Sequence, residues 1–348
     1  MADPESPRQL IQLTHLHTYA GPNVYAADPV IVVRATMTQT DAQINRERIA
    51  ATARKFPRWR RSVPPADADD RHDIGEGLAS FAKWLLNDVR GIVSTAKCLP
   101  DGAARLIVLG YHDPRISLRA LQIAALVFEH IDGNAGQELG RRIAEFAPLC
   151  RRHHPDFQAR TLMQAAVSRD IPVLPFVSGT RFWQYGWGSR SRVFAESLSN
   201  ADGSIASLLE GSKARSKAFF QSLGIPTPSD ILVLKLEELD EAIRRIGYPC
   251  VIKPLDQGCG KGVTANIVNH EQLVRAFESA RKSSTGALML EQFVPGEDYR
   301  LMVIDGKFVA AIHRQPSFVI GDGSSTVREL VDGLNATRSV DLLGSRYL

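Results

Sequence analysis

Residues 248–263 read YPCVIKPLDQGCGKGV, which combines an apolar run, a lysine and a glycine-rich loop. Cys250, Val251 and Ile252 form a short apolar run that is typical of a buried strand. Lys253 follows the run, and the glycines after it allow the backbone to approach a ligand and to turn its N–H groups toward it. Because a lysine beside such a loop is a point charge for a phosphate, the stretch indicates a nucleotide triphosphate site.

The pattern differs from two common phosphate-binding motifs. A Walker P-loop is excluded because Leu255 stands where its first glycine is required and Gly262 where its Ser or Thr is required. A dinucleotide fingerprint leads into a helix, whereas residues 264–268 predict another strand. A plain turn after a strand that ends in an exposed lysine stays open as an alternative. We expect a hairpin whose glycine tip lies over phosphates.

Composition and charge are those of an ordinary globular chain. The sequence has 348 residues, 44% apolar and 23% charged, which is enough for two or three domains. Its net charge of +4 is mild, so we predict no nucleic-acid partner. The four cysteines form no Cys-x-x-Cys pair, which predicts neither a zinc site nor a disulfide framework and favours a reducing compartment. The sequence shows no signal core and no apolar run near the roughly 20 residues of a membrane span, so we predict a cytoplasmic protein without membrane contact.

Two histidine-containing pairs are candidates for chemistry, and both have a simpler interpretation. His112 and Asp113 follow a predicted strand, and adjacent side chains of an extended segment point to opposite faces, so we treat them as loop residues. His153 and His154 lie between two arginines and a proline. A metal site would need partners at i+3 or i+4 on a helix. We interpret that segment as a basic linker near a domain boundary.

Apolar periodicity predicts strands and helices along the whole chain. In the first half we expect strands within 11–37 and at 105–110, a loop at 58–71, and helices at 43–55, 73–95, 117–131 and 161–170. In the second half we expect one helix over 205–223, strands at 231–234, 250–252 and 287–294, helices at 237–246 and 270–283, and a hairpin around Asp305-Gly306. Thr326 and Glu329 predict a capping box that opens a last helix.

From Lys213 to Arg314 the motifs occur in an order that resembles the ATP-grasp superfamily. A helix that contains Lys213 leads to an extended connector at 225–228. The strand at 248–254, the glycine loop and the segments 291–296 and 298–303 follow. Within the superfamily the chain resembles the cyanophycin synthetase family. The residues that carry this likeness are 185–188, 254–256, 260–264, 295–300 and 319–323, and the likeness weakens before Ile171.

The resemblance implies ATP and Mg²⁺ as cofactors and a nucleotide-binding role for ten residues. Two lysines would hold the phosphates, the glycine loop would close over the β and γ groups, the hinge would pair with adenine through its backbone, and an aspartate would bind the ribose. These residues are Lys213 and Lys253, then Gly258, Gly260, Lys261 and Gly262, then Glu291, Phe293 and Val294, and Asp298. An ordinary exposed helix lysine is the alternative for Lys213.

The resemblance also implies two catalytic residues, Arg300 and Arg314. They would hold the γ-phosphate or the acyl phosphate, where charge builds up during transfer. A solvated strand residue is the alternative for Arg300. We assign no metal ligand within the chain, because the family's magnesium ligands are expected downstream of residues 319–323 and beyond the end of this sequence. For that reason we expect the isolated chain to show little turnover.

The implied activity is ATP-dependent ligation of a carboxylate to an amine through an acyl phosphate. The substrates would be an amino acid and a peptide or polyaspartate-type chain, and a homo-oligomer is possible. A glutathione- or glutamate-ligase type of enzyme and a nucleotide-binding chain without turnover are the alternatives. The family commonly has Asn and His where this chain has Gly258 and Cys259, and an acidic residue where it has Ser212.

The predicted fold class is α/β in the broad sense that includes α+β. We expect an N-terminal α/β domain of the cyanophycin-synthetase type over residues 1–160. An incomplete ATP-grasp domain over residues 161–348 is expected to follow, truncated before the metal-binding strands.

Overall fold

The computed structural model describes residues 10–38, 42–62, 73–130, 136–258, 260–316 and 318–337. The chain divides into two compact units, one up to Ala201 and one from Asp202 onward. The domain boundary that we expect near residue 160 stays a prediction. All strand pairs that the structure describes are antiparallel and alternate with helices along the chain, so the mixed fold class is confirmed in its α+β form.

The first unit contains two four-stranded sheets and six helices within its described residues. Its elements are β1 (Ile11–Tyr19), β2 (Val30–Met37), α1 (Ala42–Lys55), α2 (Pro57–Ser62), α3 (Ile74–Asp88), β3 (Ala96–Asp101), β4 (Ala104–Gly110), α4 (Pro114–Glu129), α5 (Gly136–His153), α6 (Phe157–Val167), β5 (Val173–Pro175), β6 (Phe182–Tyr185), β7 (Arg192–Ala195) and β8 (Leu198–Ser199). The sheet orders are β1-β2-β4-β3 and β5-β6-β7-β8.

The main core of this unit lies between the first sheet and the helices α3 and α4. Alternate side chains of β2, such as Ile31 and Val33, join it from the sheet, and Phe81 and Phe128 join it from the helices. This alternation is what a sheet with one helix-covered face requires. The predicted strands and helices of this core are confirmed, except that the helix we expect over 73–95 ends at Asp88.

Two predictions for the first unit are wrong in detail. Trp59 is only 3% exposed, and residues 57–62 form the helix α2 where we expect a loop from residue 58; residues 63–71 of that loop lie outside the described residues. His112 and Asp113 are loop residues as predicted, and Asp113 is in addition the N-cap of α4, because its carboxylate accepts a hydrogen bond from the Arg115 N–H at 2.9 Å. His153 ends a helix and His154 is 1% exposed, so this segment is not a solvated linker.

The second unit is built on one four-stranded sheet with the order β11-β10-β12-β9. Its elements are α7 (Ser204–Glu210), α8 (Lys213–Ser222), β9 (Asp230–Val233), α9 (Leu239–Ile246), β10 (Cys250–Pro254), β11 (Thr264–Ile267), α10 (His270–Arg281), β12 (Leu288–Gln292), β13 (Asp298–Ile304), β14 (Lys307–Arg314) and α11 (Val327–Thr337). The single helix that we expect over 205–223 is therefore two helices. The break is at Gly211-Ser212, where the Ser212 side chain caps α8.

One face of this sheet forms the core of the second unit. Cys250, Ile252, Leu288 and Leu290 are completely buried, and they pack with α9 and α10. Their strand neighbours point to the opposite face because side chains alternate along a strand. That opposite face carries the polar residues of the candidate site.

The β13–β14 hairpin and the capping box are both confirmed. Asp305 and Gly306 have φ values of 50° and 70°, as the predicted type I′ turn requires. Glu329 Oε2 accepts from the Thr326 N–H at 2.7 Å, and Thr326 Oγ1 accepts from the Glu329 N–H at 3.3 Å. Within the described part of the chain, no helix is long and apolar enough to cross a membrane.

Candidate functional site

Two carboxylates oppose each other on the polar face of the second sheet. Asp230 of β9 is the register partner of Glu291 of β12, and like charges at such positions repel. The Lys217 ammonium lies between them, 3.1 Å from Asp230 Oδ1 and 3.0 Å from Glu291 Oε2. Lys217 therefore connects the helix α8 to two strands through charge-assisted hydrogen bonds.

A second lysine reaches the same carboxylate. Val251 is the partner of Glu291 in the β10–β12 pair, and Lys253 lies two residues further along β10 on the same face. Its ammonium contacts Glu291 Oε1. We call Lys217, Asp230, Lys253 and Glu291 the lysine–carboxylate cluster. In this cluster the Glu291 carboxylate lies between the two ammonium groups and contacts both.

Burial gives this cluster its electrostatic importance. The side chains of Lys217 and Glu291 are only 10% and 12% exposed, and Lys253 is 24% exposed. Burial opposes the charged form of Glu291, but hydrogen bonds from Lys253 and Lys217 outweigh it and hold its pKa below the usual range. The carboxylate is therefore charged near neutral pH, and the two ammonium groups stay paired with it.

Sequence reasoning missed Lys217. It lies four residues after Lys213 on the same helix, so the two lysines share a face and only tertiary contacts distinguish them. Lys213 donates to the carbonyl oxygens of Pro254 at 2.9 Å and Leu255 at 3.3 Å, and to that of Gln257. It thus fixes the chain that leads into the glycine loop, and its predicted contact with phosphate stays a prediction.

The glycine loop approaches neighbouring protein atoms closely, and its predicted approach to phosphates stays a prediction. Gly260 and Gly262 adopt positive φ values of 77° and 69°. A Cβ on Gly262 would lie 2.4 Å from Ser283 Oγ and 2.9 Å from a side-chain carbon of Pro254, whereas nothing lies within 4 Å of a Cβ on Gly260 or Gly258. Lys261 N–H donates to the Gly258 carbonyl at 3.1 Å and closes a turn at the tip. Cys259 lies outside the described residues.

The predicted hinge follows Glu291 directly. The Phe293 N–H donates to the Pro249 carbonyl at 3.0 Å, so this part of the hinge is tied to the chain before β10. Val294 is 61% exposed. The Glu291 side chain faces the two lysines, and the hinge follows it directly along the chain.

The hairpin residues form contacts of their own. Arg314 Nη1 lies 3.3 Å from Asp298 Oδ2, which pairs the predicted transfer residue with the predicted ribose ligand across the hairpin. Both side chains are more than half exposed, and Arg300 lies on the same exposed strand as Asp298. Among the described residues, no hydrogen bond or ion pair connects these three side chains to the lysine–carboxylate cluster. Their roles stay predictions.

No group of three His, Cys, Asp or Glu side chains among the described residues is placed to hold a metal ion. Asp230 and Glu291, the acidic members of the cluster, are already paired with lysines. The described residues therefore offer no ready set of protein ligands that would hold Mg²⁺ without a nucleotide.

Comparison with known proteins identifies the second unit. Residues 218–304 match the ATP-grasp domain family, and this segment contains Asp230, Lys253, the glycine loop, the hinge and Arg300. Cyanophycin synthetase of Crocosphaera subtropica is 35% identical over 237 residues, which are 60% of this chain and 27% of that protein. D-alanine–D-alanine ligase of Actinobacillus pleuropneumoniae is 33% identical over 116 residues, covering 33% of this chain and 38% of that protein.

One solved structure with partial similarity to this chain is that of a glutathione synthetase. The bifunctional glutathione synthetase of Pasteurella multocida is 21% identical, covers 66% of this chain and 35% of its own, and has a TM-score of 0.36. The chain spans about a quarter of the length of the cyanophycin synthetases it matches. ATP and Mg²⁺ are the cofactors that these relationships support. Residues 218–304 therefore match an ATP-grasp domain, and the chain is similar over part of its length to the cyanophycin synthetases.

Proposed function

We propose that the second unit binds ATP, with Lys217 and Lys253 holding the phosphates and the backbone at Phe293 and Val294 holding the adenine. The observation that carries this proposal is the shared Glu291 carboxylate, which brings two partly buried ammonium groups together next to the glycine loop. Charge-assisted contacts of this kind are what a phosphate chain requires. Gly258, Gly260, Lys261 and Gly262 would close over the β and γ groups, and Asp298 would bind the ribose.

The reaction we propose is ligation of a carboxylate to an amine. A carboxylate oxygen of the acceptor attacks the γ-phosphorus of ATP, the bond to the bridging oxygen breaks, and ADP leaves. The amine then attacks the acyl carbon, loses a proton and displaces phosphate, so that one amide, one ADP and one phosphate form. Arg300 and Arg314 would stabilise the phosphoryl group during transfer, where negative charge is spread over its oxygens.

The substrate class follows from the relatives alone. The resemblance to the cyanophycin synthetase family implies an amino acid and a peptide or polyaspartate-type chain as the substrates. A glutathione- or glutamate-ligase type of reaction is the second candidate among enzymes. A cytoplasmic location and a homo-oligomer stay part of the proposal.

The decisive test of ligation is ADP formation by the full chain in the presence of ATP and Mg²⁺. We expect little turnover from this chain, and any ADP that forms should require both an amino acid and a peptide with a free carboxylate. Lys253→Ala should abolish the signal, and Lys282→Ala, which removes an exposed lysine of the same unit, should not change it. ADP formation that ignores either substrate would contradict the ligase assignment.

A second candidate is a nucleotide-binding chain without turnover. The observation that favours it is that the described residues offer no metal-holding group of side chains. ATP binding that depends on Lys217 and Lys253, together with no ADP formation under any substrate combination, would establish this alternative.

A further inference from the structure

A cavity of about 690 Å³ lies inside the first unit, independent of the proposed ATP site. Its volume is within the range of small-molecule sites. The loop before β2, the chain after α3, the end of β4 and the segment from α6 to β6 all contribute to its walls. Met163 and Trp183, which are 1% and 2% exposed, form part of its apolar wall together with Ile92 and Val173.

The charged side chains that line this cavity are all negative. Asp28 and Asp170 are the charged residues in the lining, and no Lys or Arg is among the described residues that line it. Neither carboxylate forms an ion pair with a described residue.

Asp28 is held in place at the cavity. Its Oδ2 accepts hydrogen bonds from the hydroxyl groups of Ser94 and Thr95, the latter at 3.0 Å. These neutral donors orient the carboxylate, and the Lys83 ammonium lies nearby because it donates to the Ser94 carbonyl at 2.6 Å. The Asp28 carboxylate therefore provides a fixed negative group beside an apolar space.

The imidazole in the lining adds no positive charge at neutral pH. His112 Nε2 accepts from the Ile92 N–H at 3.1 Å, so the ring is neutral with its proton on Nδ1. Burial, then the nearby His154 and Arg160, lower the pKa of His112 to about 3. Its ring lies 5.4 Å from that of Trp183, which makes this part of the wall aromatic.

We infer that this cavity binds a small organic cation, an ammonium group on an aromatic or branched apolar body. The apolar wall would take the body, since burial of apolar surface is the main source of affinity in such a space. Asp28 and Asp170 would face the ammonium group. Both carboxylates are solvent-accessible, so charge selects the ligand while the apolar wall supplies most of the affinity.

The test is calorimetric titration of the full chain at pH 7.5 with three ligands of one shape: benzylamine, benzyl alcohol and benzoate. Benzylamine should bind about fivefold tighter than the alcohol, the effect of one nearby charge in water, and benzoate should bind weakest. Asp28→Asn and Asp170→Asn should each lower benzylamine affinity toward that of the alcohol. Asp332→Asn, at an exposed position of the second unit, is the matched control and should change nothing.

A cavity-narrowing variant locates the binding. Val167 lines the cavity and is 63% exposed, so a larger side chain there should not disturb the core. Val167→Trp should narrow the cavity and weaken the binding of both benzylamine and benzyl alcohol. Circular dichroism confirms that each variant is folded. The inference is overturned if benzylamine does not bind, if benzoate binds equally well, or if the Asp28, Asp170 and Val167 variants bind as the wild type does.

Discussion

Glu291 illustrates how one residue determines the geometry of a whole site. It opposes Asp230 across two strands, accepts from Lys217 on one oxygen and from Lys253 on the other, and is 12% exposed. Removing one partner of such a buried network leaves an uncompensated charge. The carboxylate therefore sets the separation of the two ammonium groups that we propose for the phosphates.

Asp113 makes a residue-scale prediction in the first unit. Its side chain is fully buried, and it accepts from the backbone and the guanidinium of Arg115 at 2.7–3.1 Å. Asp113→Ala removes the cap of α4 and the acceptor of the Arg115 N–H, so it should lower the free energy of unfolding by about 0.5–2 kcal/mol. Asp113→Asn keeps a capping oxygen and should cost less. Urea unfolding of both variants measures the difference, and an equal loss in both would argue against the cap.

The buried histidines predict a dependence of stability on pH. Burial first, and then neighbouring charges, lower the pKa of His112 to about 3, and burial lowers that of His154 to about 4. In the unfolded chain histidine titrates near pH 6.5, so below that pH the unfolded state binds protons that the folded state excludes. Stability should be unaffected by these groups above about pH 6.5 and should fall as the pH is lowered toward the folded-state values.

The size of this effect can be measured in a narrow window. From pH 6.5 to 5.5 each of the two histidines should cost roughly 1 kcal/mol of unfolding free energy. Urea unfolding at several pH values gives the slope. His154→Gln should reduce the slope, whereas His270→Gln, at an exposed position, should leave it unchanged. A slope that is the same in all three proteins would contradict the assignment to buried imidazole.

At the scale of an element, two glycines of the glycine loop distinguish the cost of an unfavourable backbone conformation from the cost of a steric clash. Gly262 and Gly260 both have positive φ, but only a Cβ on Gly262 would collide with Ser283 and Pro254. Gly262→Ala should therefore destabilise the second unit by about 2–3 kcal/mol and Gly260→Ala by about 1 kcal/mol. Thermal unfolding of the two variants checks this, and equal losses would show that the approach of Ser283 is unimportant.

The elements also show what the sequence determines locally. The strand at β10, the Asp305-Gly306 turn and the capping box at Thr326 were predictable because each depends on residues close in sequence. The break at Gly211-Ser212 had a local signal, a glycine followed by a capping serine. The helix around Trp59 had none, because it forms where a tertiary contact buries that ring.

At the scale of the whole molecule, the candidate site also contains residues that a local sequence signal indicates and residues that only tertiary contacts reveal. Motif order placed Lys253 and Glu291 in one candidate site and composition indicated the glycine loop, but Glu291 was predicted as a hinge residue and not as the carboxylate that pairs with two lysines. Lys217 was not predicted, because its identity depends on Asp230 and Glu291 meeting across β9 and β12, which local sequence does not specify. Residues of the β13–β14 hairpin resemble the family's transfer residues, but the contacts in the structure join Asp298 to Arg314.

The most direct measurement is calorimetric titration of the full chain with ATP, comparing wild type with Lys253→Ala, Lys217→Met and the control Lys282→Ala. Each substitution in the cluster removes one charge-assisted contact, so each should weaken binding by about 1.5–3 kcal/mol, or roughly 10- to 150-fold. Lys282→Ala should bind as wild type does. Unchanged ATP affinity in folded Lys253→Ala and Lys217→Met proteins would contradict the phosphate site.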